Sequence, residues 1–382
     1  MAPMQRPRPL SATTDLTDLT DHTDRTSQAI EVDPDSRSLS SADFEAETQS
    51  LTPSVRDVLH EYGRTYQKWK VGAYPFPNDD LENERLKLQH IIIRALFNGR
   101  NWFAPINRLP QRRPRRLLDI GCGTGHWCHE MAKEFPRTRV EGIDLTPTKG
   151  LARSPDNCHL MIDDIRHKMW WGLANGYTYD YIHTRMSLGI FHDFREIIQK
   201  GFNNLEPGGW MESQELDSKV YCDDGTMPEN WPLLEWSKDQ DDAATNHLET
   251  PLRIANKLKR WYEQAGFVEV KEEVFHIPIN EWAKEDRLKM FGKFMAQNMQ
   301  AGLYGWSVNY FNRAWGWTES EIRVKLARVH NSLFDKTVHA YYKVYVVYGR
   351  KPRIGEAPSQ VPKPDHWPTE HTSRNDDADN AC

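Results

Sequence analysis

Three acidic positions stand in order around one glycine turn. The turn is Gly121-Cys122-Gly123-Thr124-Gly125, and Asp119 lies two residues before it. Alternating glycines let a ligand approach the backbone where side chains would obstruct it. A dinucleotide turn reads G-x-G-x-x-G, but position 126 here is His. Asp119 would repel a pyrophosphate, which seeks bare amides at a helix N-terminus. It suits a ligand carrying an ammonium or sulfonium group. Asp144 follows nineteen residues past Gly125 and can accept from two ribose hydroxyls. Asp163-Asp164 come next, where one carboxylate, Asp164 in preference to Asp163, can accept from an adenine amino group. The set points to S-adenosylmethionine. Cys122 and Thr124 in the turn, Leu145 after Asp144, Ile165 after Asp164, and Arg185 complete the expected cofactor contacts.

Methyl transfer is an in-line displacement at a sulfonium, so positioning supplies much of the rate. An oxygen nucleophile also calls for a base. Candidates are His183, His192, Glu212 and Glu215, each of which has a structural reading of equal weight. His126 and His129 lie three apart, but no further ligands converge, so no metal site is expected. The five cysteines form no C-x-x-C pair and no zinc spacing.

These residues need strands that end beside one another. Strand patterns at Leu117–Ile120, 139–145, 158–162, 179–184 and 210–215 alternate with helical patterns. Alternation of this kind predicts a parallel α/β sheet. Further strands are expected at 267–277 and 341–348. Thr52-Pro53 can open a helix burying Val55, Val58, Leu59, Tyr62, Tyr66 and Trp69. A second helix would turn Leu81, Leu88, Ile91, Ile92 and Ala95 inward. Together they would cap the sheet over 52–97, ahead of a cofactor core at 115–280. Between the last two strands, 281–335 reads as a helical insertion that covers the site. Its Met290, Met295, Met299, Tyr304, Trp306, Tyr310, Phe311, Trp315 and Trp317 divide between core and an apolar cavity wall.

The ends differ from the middle. Residues 1–50 are rich in Ser, Thr, Asp and Pro, with a repeated Asp-Leu-Thr, and are expected to be disordered; 353–382 is also polar and expected to be disordered. The net charge of −6 argues against a dedicated nucleic-acid binder. No secretory signal and no membrane-spanning run is visible. An intracellular protein is expected, cytoplasmic or nuclear. The run Gln111–Arg116 enters the amino end of the first strand, away from the chemistry. It reads as a solvated flank, with nuclear import as the alternative.

Several stretches resemble class I methyltransferases, and within them the LaeA-like proteins of filamentous fungi. They are 62–66, 77–79 with 84–86, 118–125 with Trp127, 142–147, 182–186, 205–210, and 339–341 leading to 349–352. The resemblance spans about residues 50–352. It implies a Rossmann-like, seven-stranded, mostly parallel sheet and a link to fungal secondary metabolism. Two roles remain open: methylation of a small-molecule acceptor, or nuclear regulation with a velvet-family partner. Asn78, and His126, Cys128 and His129, depart from the regulator pattern and favour the enzyme.

Overall fold

A computed structural model describes residues 57–68, 70, 72, 74–108, 113–147, 154–166 and 176–368. The chain enters through a hairpin, β1 (Val58–Glu61) and β2 (Arg64–Gln67). The helix expected over 52–69 is therefore corrected where it is described. Tyr62 and Gly63, the two loop residues, have φ of 51° and 70°, and Glu61 faces Arg64. Positive φ at both positions is the two-residue turn that matches strand twist. Val55 and Trp69 lie outside the described residues, as do the tail 1–50 and the proposed Thr52 cap.

Helix α1 (Asp80–Leu96) follows, capped by Asp79, whose side chain accepts from the Glu82 amide. It differs from expectation on one face. Leu81 is 66% exposed, while Glu82 and Arg85 are buried. The helix is rotated so that an ion pair, rather than Leu81, faces inward.

The rest is one sheet with helices on both sides. It comprises β3 (Arg116–Ile120), β4 (Arg139–Asp144), β5 (Cys158–Ile162), β6 (Tyr179–Arg185), β7 (Leu205–Tyr221), β8 (Val268–Pro278) and β9 (Tyr341–Arg350). Their order is β5-β4-β3-β6-β7-β9-β8. From β5 to β7 all neighbours are parallel; β9 runs antiparallel to both β7 and β8. Central β3 is apolar on both faces, with Leu117, Leu118 and Ile120 fully buried, as a parallel strand covered by helices must be. The strand order turns back between β3 and β6. In open α/β sheets the ligand crevice lies at the carboxyl ends of such a pair.

Helices α2 (His126–Glu134), α3 (Phe194–Asn204), α4 (Pro232–Asp242) and α5 (Leu258–Ala265) connect or flank the strands. Between β8 and β9 stand α6 (Asp286–Trp315) and α7 (Glu319–Ser332). The α7 start is a reciprocal capping box of Thr318 and Glu321. Residues 353–368, expected to be disordered, are described as a largely exposed segment held at its two ends. Arg350 forks to Glu269 and Glu356 at 2.6 and 2.7 Å, and the buried Trp367 donates to Gln199 at 2.9 Å. These contacts fasten the segment to the sheet edge and α3. Among the described residues no helix is long and apolar enough to cross a membrane.

Candidate functional site

Backbone geometry makes the glycine turn. Gly121, Gly123 and Gly125 have φ of 69°, 52° and 75°, a region that side chains disfavour. No atom lies within 4 Å of where a Cβ on Gly121 would stand, so the space above the turn is open. Asp144, at the end of β4, ties the turn down. Its Oδ2 accepts from the Gly123 amide at 2.8 Å. Its Oδ1 accepts from the Thr146 amide and hydroxyl at 2.9 and 2.8 Å. Burial raises its pKa, against these hydrogen bonds. Thr124 places its hydroxyl 2.8 Å from His126 Nδ1. Burial, with His90 and Lys87 nearby, lowers the His126 pKa to about 4.

Asp119 looks away from solvent. It is 3% exposed, and its Oδ1 lies 2.8 Å from Nδ1 of His183 on the adjacent strand. At the end of β5 the two acids differ. Arg166 grips both Asp164 oxygens, with contacts of 2.8 and 2.7 Å, and the Asp164 pKa falls because this pairing outweighs burial. Asp163 is exposed, and one of its oxygens accepts from the Asp164 amide. Ile165 is buried. Arg185 closes the crevice: its Nη1 is 3.3 Å from His90 Nδ1, while Nε and Nη2 are buried without a partner.

The proposed bases are dispersed. His183 is fully buried, stacked on Trp127. Glu215 is fully buried; it accepts from the Ser187 amide at 2.6 Å and the Thr184 hydroxyl at 3.3 Å. Glu212 accepts from the amides of Phe103 and Ala104, both at 2.8 Å. Each of the three holds a loop or a neighbouring strand. His192 is exposed and bonds the Glu249 carbonyl; it borders a small cavity with Arg166, Thr250 and Arg313.

A larger cavity, of about 150 Å³, lies between α1, the end of β6, β7, α4 and α6. Of the aromatic and methionine residues expected from the insertion, Met295, Met299, Trp306 and Tyr310 line it. Phe311, Trp315 and Trp317 instead stack on one another. Tyr62 donates to Asn312, and Tyr66 is buried; neither lines the cavity. Sequence reasoning missed Glu82 and Arg85, which do. Their spacing of three on one helix was the signal. Leu86, one residue on, stands 3.8 Å from where a Gly123 Cβ would be, so cavity and turn share a wall. None of His183, Glu212, Glu215 or His192 is in that lining.

Residues 92–272 match a family model described as a methyltransferase domain. The methyltransferase pytC of Aspergillus terreus is 32% identical over 324 residues, covering 85% of this chain and 96% of pytC. The chain belongs to the LaeA-like methyltransferase family. The secondary metabolism regulator LAE1 of Cochliobolus heterostrophus is 29% identical, covering 79% of this chain and 97% of LAE1. The probable methyltransferase tdiE of Emericella nidulans is also 29% identical, covering 80% and 94%. Among solved structures, a Haemonchus contortus phosphoethanolamine N-methyltransferase 2 is 18% identical with a TM-score of 0.40. The match covers 76% of this chain, which spans 62% of that enzyme.

The methyl donor of this methyltransferase is S-adenosylmethionine, and the crevice fits it. Open space lies above the turn, carboxylates end β4 and β5, and at the end of β6 the Arg185 guanidinium has Nε and Nη2 unpaired. Among the described residues no cluster of His, Cys, Asp and Glu could hold a metal ion.

Proposed function

We propose that this methyltransferase modifies a small molecule of fungal secondary metabolism, seated in the cavity between α1, α4 and α6. The observation that carries this reading is the shared wall: a buried, largely apolar cavity abuts the glycine turn through Leu86. Cavities of this kind bury most of a small ligand and orient it with few polar groups. In this reading Asp144 accepts from the ribose hydroxyls. Of the two β5 acids, Asp163 offers an open oxygen toward the adenine, because Arg166 occupies Asp164. The buried Nε and Nη2 of Arg185 pair with the donor's carboxylate. The bound donor supplies a methyl group on a sulfonium; the chain orients the acceptor and excludes water.

The names of pytC and tdiE support the enzymatic reading. The name of LAE1 supports a second, in which the chain regulates secondary metabolism; a velvet-type partner belongs to that reading only through the family resemblance. Deleting the gene in its host and profiling metabolites separates them. Loss of one methyl group from one compound supports the enzyme. Silencing of many unrelated pathways overturns it in favour of the regulator.

A further inference from the structure

We propose that Glu82, clamped by Arg85, accepts the hydrogen bond of the acceptor's hydroxyl group, and that the cavity takes an uncharged, planar aromatic alcohol. The inference rests on the small-molecule reading above and names the chemical class.

Among the described residues, Glu82 and Arg85 are the only charged side chains lining the cavity. They are 2% and 5% exposed. Arg85 spends four of its five N–H donors on the protein, leaving one on Nη2. Its Nε reaches both Glu82 oxygens at 3.0 Å, and its Nη2 reaches Oε1 at 2.7 Å. Its Nη1 serves Gln89 at 2.7 Å and Asn298 at 3.1 Å. The guanidinium lies 4.9 Å from the Trp306 ring centroid.

Glu82 is the opposite case. Its Oε2 receives only the shared 3.0 Å bond, and a carboxylate oxygen has two lone pairs. Among the described residues the wall therefore presents spare acceptor capacity, and its one guanidinium is already paired with Glu82. A hydroxyl satisfies it. A carboxylate would set a second negative charge against that single guanidinium, and burying it would be costly. An ether cannot donate at all. The remaining wall is flat and polarizable, formed by Trp236, Trp306, Tyr310, Met295 and Met299, surfaces that favour an aromatic ring.

The same contact balances the transfer. The acceptor oxygen's lone pair forms the new O–C bond, and the S–C bond breaks with its electron pair left on sulfur. The O–H proton passes to Glu82 as that oxygen becomes strongly acidic. The methylated product has no donor left, so its hold on Glu82 is lost.

The test is calorimetry on the full chain saturated with S-adenosylhomocysteine, using 1-naphthol, 1-methoxynaphthalene and 1-naphthoate as probes. Naphthol should bind at least about tenfold more tightly than the other two, as expected for a hydrogen bond to a charged group. The double variant Glu82→Leu, Arg85→Met should erase that preference. It removes both charges, which a fold tolerates better than loss of one. Equal binding of naphthol and its ether, tightest binding of naphthoate, or a preference that survives in the double variant would each overturn the proposal. If S-adenosylhomocysteine binds but no naphthalene does, the aromatic-alcohol proposal falls, while the small-molecule reading is decided by the metabolite profile.

Discussion

Trp127 and His183 lie face to face, with ring centroids 4.1 Å apart and planes 3° from parallel. The stack joins α2 to β6 directly beneath the glycine turn. It also aims His183 Nδ1 at Asp119, which sits between the strand and Cys128. Replacing His183 with Ala would open a void under Trp127 and leave Asp119 buried without its main partner. We expect a loss of about 2–4 kcal/mol of stability, read as a lower urea midpoint. A purely catalytic histidine would leave that midpoint in place.

Asp144→Ala removes the acceptor that holds both the Gly123 amide and Thr146. Binding of S-adenosylmethionine should weaken at least about tenfold in calorimetry, with the protein still folded by circular dichroism. Unchanged affinity would remove Asp144 from the cofactor site.

Glu215 carries a pH signature. Burial raises its pKa from 4.5 to about 8. The folded state then holds a proton between these values that the unfolded chain has released. Its contribution to stability is complete below about 4.5 and lost as pH rises through about 8, at up to about 1.4 kcal/mol per pH unit. Denaturant titrations from pH 5 to 8.5 should show the native chain losing stability relative to Glu215→Gln. Comparing the two cancels His126, whose lowered pKa acts in the opposite sense. Parallel pH profiles would refute the assignment.

Gly292 on α6 meets the chain leaving β8. A Cβ there would stand 1.9 Å from the Asn280 carbonyl oxygen. Backbone cannot give way cheaply, so Gly292→Ala should cost about 1–3 kcal/mol in urea unfolding. It should also weaken acceptor binding more than donor binding, because α6 lines the larger cavity with Met295, Met299, Trp306 and Tyr310.

The sheet was legible because the central parallel strands are short apolar runs ending in an acid or a turn. Leu117–Ile120 before the glycines is the plainest case. The hairpin was not legible, because Val58, Leu59, Tyr62 and Tyr66 also fit helical spacing. Gly63 was the discordant residue, and its left-handed backbone decides for the turn. The cavity was harder still. Bases were sought at strand ends, where Glu212 and Glu215 turn out to bind backbone amides. On α1 the expected inward face was apolar and began at Leu81, which is exposed. The rotation of the helix depends on Glu82 and Arg85 neutralising one another, and on Asn298 arriving from more than two hundred residues away.

Helix α6 enters the chain after the strands that build the glycine turn are already complete. Its residues meet α1 across the cavity, while Asp144, Asp163 and Arg185 belong to the sheet. Choice of acceptor and capture of donor are thus written in separate stretches of sequence. Exchanging 80–96 together with 286–332 between relatives is the natural way to transplant a preference for one molecule without rebuilding the machinery that modifies it.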